Sequence, residues 1–329
     1  MPLPEKALIA QFGRLANSGR QKSRPTQNCT IIRGIGDDCA VLRTGARRDS
    51  LVTTDFTLEG IHFRRDWHSP ESVGHRCLAR GLSDIAAMGG EPAAVFLSLA
   101  LPPDVPQSWV GRFFRSLVEL AEKHGASLAG GDTAQSPRGI LADIMVIGTV
   151  PQGEAILRSG ARPGDRIYVS GELGGSAAAV GQLRAHPKKK LDPRWYRRHF
   201  TPQPRLELGR VLRHQNLASA MIDTSDGLST DLAHICEASG VGAEIESSAI
   251  PLARVGKPSY EVDLQLALHG GEDYELLFTA PKGKPIPDRI AGVPITEIGK
   301  ITRSLKVLLK KSPAQTSDFD PQGWEHFRN

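Results

Sequence analysis

Cysteine is scarce in this sequence: there are four in 329 residues, Cys29, Cys39, Cys77 and Cys236, and no CxxC pair among them. That excludes a zinc ribbon or a dithiol redox motif and fits a reducing compartment, with the thiols core or incidental. Aromatic residues are few, at 5%, which argues against a platform on which unpaired bases stack. The best apolar run, Ala93 to Leu101, is far shorter than the ~20 residues of a membrane-spanning helix. The opening Met1-Pro2-Leu3-Pro4-Glu5-Lys6-Ala7-Leu8 lacks the basic and apolar stretches of a secretory signal, so a cytoplasmic protein with no membrane partner is expected. Also missing are a GxxxxGKS/T phosphate loop, the HRD and DFG pair of protein kinases, and a GxSxG nucleophile elbow. A nucleotide enzyme built on this chain must hold phosphate through metal ions and backbone amides rather than a Walker lysine.

What is present is an ordinary globular composition, 40% hydrophobic and 23% charged, too apolar for disorder and long enough for two domains. Forty-one Lys and Arg against 36 Asp and Glu leave +5, which suggests an anionic partner. The basic clusters Arg47-Arg48, Arg64-Arg65, Lys188 to Lys190 and Lys310-Lys311 are scattered and not interleaved with aromatics. Solvated surface explains them better than nucleic acid does. The stretch His186 to Pro204, with Arg194, Arg197 and Arg198, reads as an exposed basic insertion.

Alternating strand and helix patterns predict mixed α/β layers in two halves, residues 1–150 and 151–329, with a break near Pro151-Gln152-Gly153. In the first half, Leu51 to Thr54, Ala94 to Leu101 and Ile140 to Val150 have strand character, and helices are predicted over Glu71 to Met88 and Ser108 to His124. The second half is expected to hold strands at Arg166 to Ser170, Ser219 to Ile222, Tyr274 to Ala280 and Ser304 to Leu309, with a helix over Leu228 to Ala238. The turn Gly171 to Gly175 opens a further helix, whose amino end is a possible phosphate receptor or simply a strand-to-helix turn.

Five motifs place acids where elements end: Gly34-Ile35-Gly36-Asp37-Asp38, Thr53-Thr54-Asp55, Leu82-Ser83-Asp84, Gly130-Gly131-Asp132-Thr133, and Asp223-Thr224-Ser225-Asp226-Gly227. An Asp beside Gly is usually a turn or a cap. Asp84 differs, because it follows Cys77 by seven residues and Val73 by eleven, and at ~100° per residue it points along the apolar face of its helix. It is either a core acid, hydrogen-bonded or paired with an arginine such as the nearby Arg76 or Arg80, although their helical positions do not place them on that same face, or a ligand. If the acids converge, two carboxylates ~6 Å apart repel by ~3 kcal/mol at an effective dielectric of 20. Divalent cations resolve such repulsion, and all-oxygen donors favour Mg²⁺.

In this order, GIGDDCAVL at 34–42, TTDFTLEGIHF at 53–63, GLSDIAAMGGEP at 81–92, AGGDT at 129–133, RSGARPGD at 158–165, IDTSDGL at 222–228 and HGGEDYELLFT at 269–279 resemble the thiamine-monophosphate kinase family. That family is a branch of the aminoimidazole-ribonucleotide-synthetase-like ATP-dependent superfamily. The resemblance implies a two-domain α/β fold of α+β type. Its N-terminal mixed sheet would form a barrel at a homodimer interface, carrying ATP and Mg²⁺ binding, and a C-terminal α/β domain would follow. It implies transfer of the γ-phosphoryl group of ATP to thiamine monophosphate by direct, in-line, Mg²⁺-assisted displacement, with no general base. Several Mg²⁺ ions would be held by Asp38, Thr53, Thr54, Asp55, Asp84, Asp132, Asp223 and Asp226. ATP would contact Gly131, Asp132, Arg158 and Ser225, and the substrate would contact His62, Glu272 and Trp324. A sister activity such as aminoimidazole ribonucleotide synthesis, or a nucleotide- or metal-binding module without turnover, would share the acidic half and differ in the acceptor pocket.

Overall fold

Residues 3–20, 30–312 and 314–327 are described by the computed structural model; Cys29 lies outside them. The first half runs α1 (Glu5–Arg20), β1 (Thr30–Arg33), β2 (Ala40–Arg43), β3 (Arg48–Leu58), α2 (Pro70–Ala87), β4 (Glu91–Leu101), α3 (Gln107–Lys123), β5 (Ser127–Gln135) and β6 (Leu141–Pro151). Its strands form one mixed sheet in the order β1-β2-β3-β6-β4-β5, with β4 and β5 parallel. Strand period two decides the faces. Along β6, Ala142, Ile144, Val146 and Val150 are buried under α2, and the alternate residues face outward. The sheet is open in the single chain, with β1 and β5 as its edges.

The second half contributes β7 (Arg166–Ser170), α4 (Gly175–Ala185), α5 (Arg197–Phe200), α6 (Leu206–His214), β8 (Ala220–Asp223), α7 (Leu228–Ser239), β9 (Gly242–Glu246), the hairpin strands β10 (Arg254–Val255) and β11 (Tyr260–Glu261), α8 (Leu264–His269), β12 (Leu276–Ala280), β13 (Arg289–Ile290), β14 (Val293–Thr302), β15 (Val307–Ser312) and β16 (Gln315–Asp318). Its main sheet runs β16-β15-β9-β14-β7-β12-β8, with β13 added on β14. β12, Leu276-Leu277-Phe278-Thr279-Ala280, is buried along its whole length, as a strand covered on both faces must be.

α2 joins the halves. Ser69 caps it by accepting from the Ser72 N–H, and Pro70 opens it, both favourable at a helix start. Val73, Cys77, Leu78, Leu82 and Ile85 are buried on the stripe that the spacing predicts. α6 crosses α2 so closely that a Cβ on Gly209 would lie 2.1 Å from the Ala86 carbonyl oxygen. The contact therefore requires glycine. This clamp sets the carboxyl-terminal turn of α2, with Ser83 and Asp84, against the end of β8.

Most predicted elements shift by one to three residues. The larger differences have local causes. AGGDT belongs to β5, because Gly131 lies against β4, where a Cβ would fall 1.8 Å from the Leu97 carbonyl oxygen. β12 starts at Leu276, not Tyr274, because Glu272 and Tyr274 have left-handed φ values of 67° and 51°, which no strand accommodates. The amino end of α4 is occupied by Asp273, whose carboxylate accepts from the Gly174 and Ser176 N–H groups at 2.6 and 3.1 Å, so no phosphate site is left there. The basic stretch is only partly an exposed insertion. Lys188 to Lys190 are exposed, but Leu191, Tyr196 and Phe200 pack into a core cluster, and Arg198 pairs with Glu172 and Glu275 at 2.9 and 2.8 Å.

Candidate active site

A cavity of about 1110 Å³ opens between the two halves. Four separated segments supply its acidic floor: Asp38 before β2, Thr53, Thr54 and Asp55 on β3, Asp84 on α2, and Asp223 at the end of β8 with Ser225 and Asp226 just after it. Oxygens of Asp38, Asp84 and Asp223 lie within 4.8 Å of one another. Thr53 Oγ1 donates to Asp84 Oδ2, and Ser83 Oγ donates to Asp223 Oδ2 at 2.5 Å. Arg158 donates from Nη2 to Asp38 Oδ1 at 2.7 Å, and its backbone N–H donates to Asp37 Oδ1 at 3.1 Å. Asp84 takes its hydrogen bond from Thr53, and the two arginines of its helix turn to Glu272 and Asp55 instead.

The floor carries too much negative charge to remain ionised alone. Burial first, then Asp55, Asp223 and Asp38, pushes the Asp84 carboxyl well above its ordinary range. Burial and Asp38 raise Asp223 to about 7, and burial and Glu5 raise Asp226 to about 6. Asp38 Oδ2 is buried and has no hydrogen-bond partner among the described residues. A buried carboxylate oxygen left bare, facing two others, fits a hard cation.

The opposite wall is built differently. His62 Nδ1 accepts from the Leu58 N–H at 2.9 Å, which leaves Nε2 as the donor. Burial, and next Arg80, drop the imidazole to about 3, so the ring is neutral at physiological pH. Burial alone would raise Glu272, but Arg76 and then Arg80 override it and hold the carboxyl at about 2. Arg76 Nη2 donates to Glu272 Oε1 at 2.7 Å. The loop that carries Glu272 is tied to the acidic one: the Glu272 N–H donates to Ser225 O at 2.8 Å, and the Tyr274 N–H to Thr224 O at 3.0 Å. Trp324 reaches the cavity rim because its N–H donates to Asp226 O at 3.0 Å. Its ring stands edge-on to His326 at 5.6 Å, and His326 stands edge-on to His62 at the same distance.

Gly131 and Asp132 do not line this cavity. β5 pairing sets Asp132 opposite Ser98, Ser98 opposite Asp143, and Asp143 opposite Phe56. Directly opposed residues share a face, so exposed Asp132 emerges with Phe56 on the face away from α2, three strand spacings or ~14 Å from β3. The sequence did not single out Arg76 and Arg80 as site residues, nor His326 and Glu5. Glu5 and His326 clasp the chain's two ends over the site: the Glu5 N–H donates to His326 O, and the His326 N–H to Glu5 Oε2, at 3.3 and 3.0 Å.

The chain matches the AIR synthase related N-terminal domain over residues 36–150 and the corresponding C-terminal domain over 162–308. It is 41% identical to the thiamine-monophosphate kinase of Escherichia coli strain K12, over 99% of both chains. The chain belongs to the thiamine-monophosphate kinase family. The Bacillus subtilis strain 168 member of the family is 34% identical over 93% of this chain and 96% of its own. Among solved structures, AaThiL complexed with AMPPCP and TMP superposes with a TM-score of 0.82 at 31% identity, covering 99% of each chain. In this chain the site sets acids on one wall and an arginine-held carboxylate beside a neutral histidine on the other.

Proposed function

We propose that this protein is a thiamine-monophosphate kinase, transferring the γ-phosphoryl group of ATP to thiamine monophosphate to give thiamine diphosphate and ADP. One observation carries this beyond family membership: the acids of four separate motifs and the Glu272–His62 wall converge on a single cavity. Mg²⁺, held by Asp38, Asp84 and Asp223 with Thr53, Thr54, Asp55 and Asp226 beside them, would neutralise and align the two phosphate groups. Asp132 and Gly131 keep their metal and ATP roles as part of this proposal.

The chain's own residues do the rest. Arg158, beside Asp38, offers a guanidinium to ATP phosphate, and Ser225 stands at the same floor. His62 donates from Nε2, Glu272 accepts, and the Trp324 face offers stacking for a cationic aromatic ring. The acceptor phosphate is already ionised at neutral pH, so its oxygen attacks without a general base, in line and without a phosphoenzyme. We assign residues 1–150 to an ATP- and Mg²⁺-binding dimerisation domain and 151–329 to a C-terminal α/β domain. Two first sheets would pair across a homodimer as a barrel, and the long exposed β5 edge and the outward sheet face support this.

Purified protein with ATP, Mg²⁺ and thiamine monophosphate yields thiamine diphosphate and ADP in equal amounts. Nucleotide binding without product would refute the assignment. Inversion at phosphorus is expected, and retention would rule out the single displacement.

A further inference from the structure

Arg80 projects from α2 into the cavity, one helical turn before Asp84. Its guanidinium stands between the two walls and hydrogen-bonds neither. Nε lies 3.7 Å from Asp55 Oδ1, and Nη1 lies 3.8 Å from Glu272 Oε1. Nε is buried and has no hydrogen-bond partner among the described residues. The other guanidiniums of the site each bond a carboxylate: Arg76 bonds Glu272, His199 O and His62 O, and Arg158 bonds Asp38 through Nη2 although its Nε, too, is buried without a partner among the described residues. Burial disfavours charge on Arg80, but Asp55 and Glu272 are among the neighbours that more than restore it, so the group remains a cation.

A guanidinium carries five donors in a rigid fork; here the buried Nε is left unused, which is costly, and the side chain lines the cavity. The fork suits a phosphate, whose oxygens accept paired charge-assisted bonds. Its place defines which phosphate. Asp55 belongs to the acidic floor, and Glu272 to the wall assigned to the organic part of the acceptor. Between them lies the point where an acceptor anchored at Glu272 and His62 presents its phosphate to the floor. We propose that Arg80 binds the phosphate group of the acceptor, holding one oxygen toward the donor. This rests on the kinase assignment and adds to it the determinant by which a phosphomonoester is preferred over the free alcohol.

Calorimetric titration without nucleotide or metal tests this, using thiamine monophosphate and thiamine as paired probes. Arg80→Met is expected to lose about 10- to 100-fold in affinity for the monophosphate and to bind thiamine as the wild type does. Arg80→Lys, which keeps the charge but not the fork, falls between the two and serves as the test where Arg80→Met does not fold. In turnover the KM for the monophosphate rises. Unchanged monophosphate affinity, an equal loss for both probes, or a loss confined to a non-hydrolysable ATP analogue overturns the proposal. Wild-type protein that binds no thiamine monophosphate would instead sink the kinase assignment, and this proposal with it.

Discussion

Ser83 on α2 donates a hydrogen bond of 2.5 Å to Asp223 at the end of β8, 140 residues along the chain. This bond ties α2 to the second sheet at the acidic floor. It also favours the ionised form of an acid that burial and Asp38 raise to about 7 from an ordinary 3.8. The linkage follows from that sign. Between these two values the folded protein holds a proton that the unfolded chain has released, so the contribution of Asp223 is full below about 3.8 and is lost as pH rises through about 7. Metal-free wild type should therefore lose stability relative to Asp223→Asn over that window, on the order of a few kcal/mol. Added Mg²⁺ should reverse the trend in the wild type only. Urea unfolding of both proteins at several pH values checks this, and parallel curves would contradict it.

Arg76 and Glu272 form a largely buried ion pair, with the arginine only 3% exposed. Removing one partner strands the other, so Arg76→Ala should destabilise by about 3–5 kcal/mol. Arg76→Ala combined with Glu272→Gln should recover part of that loss, because no carboxylate is then left unpaired. A double-mutant cycle by chemical denaturation measures the coupling. An additive cycle would show that the pair does not organise this wall.

Asp84→Asn removes a ligand charge while keeping the side-chain shape, and Thr53 can still donate to its oxygen. Turnover should fall at least about 100-fold, or ~2.7 kcal/mol in activation free energy, while the thermal midpoint holds or rises in metal-free buffer because repulsion is relieved. Steady-state kinetics beside a melting curve separates the two effects. Normal turnover would remove Asp84 from the metal set.

The floor was legible in the sequence because each acid sits beside a glycine or at the end of an apolar run, and because helical spacing alone placed Asp84 on a buried face. Arg76 and Arg80 lie on that same helix, but their role depends on Glu272, 196 residues beyond Arg76, and local periodicity carries no trace of it. β5 was misread for the opposite reason: Gly130-Gly131-Asp132 has turn composition, yet the glycines serve close packing within a strand. The Glu5–His326 clasp joins residues near both ends of the chain and left no local signal either.

Trp324 is 47% exposed and is held by its backbone rather than by packing, so its ring is available to a ligand. Trp324→Ala should therefore cost little stability and raise the KM for thiamine monophosphate up to about tenfold, as expected for one stacking contact of ~0.5–1.5 kcal/mol. A large loss of stability with unchanged KM would make it a packing residue instead.

Leu141 begins β6 on the outward face of the first sheet, opposite Leu58 on β3 and Ala100 on β4. It is 37% exposed, and its inward neighbour Ala142 is buried. A charge at this position therefore leaves the core undisturbed. In the same sheet, beyond β4, β5 presents a free edge and a largely exposed strand, which proteins ordinarily cover. If two copies pair through this face, Leu141→Glu places a carboxylate in the interface, and its mirror image approaches it across the dimer axis. Sedimentation should then show a dimer for the wild type and a shift toward monomer for Leu141→Glu, with the melting curve of the monomeric fold little changed. Identical masses for the two proteins would place any dimer contact elsewhere.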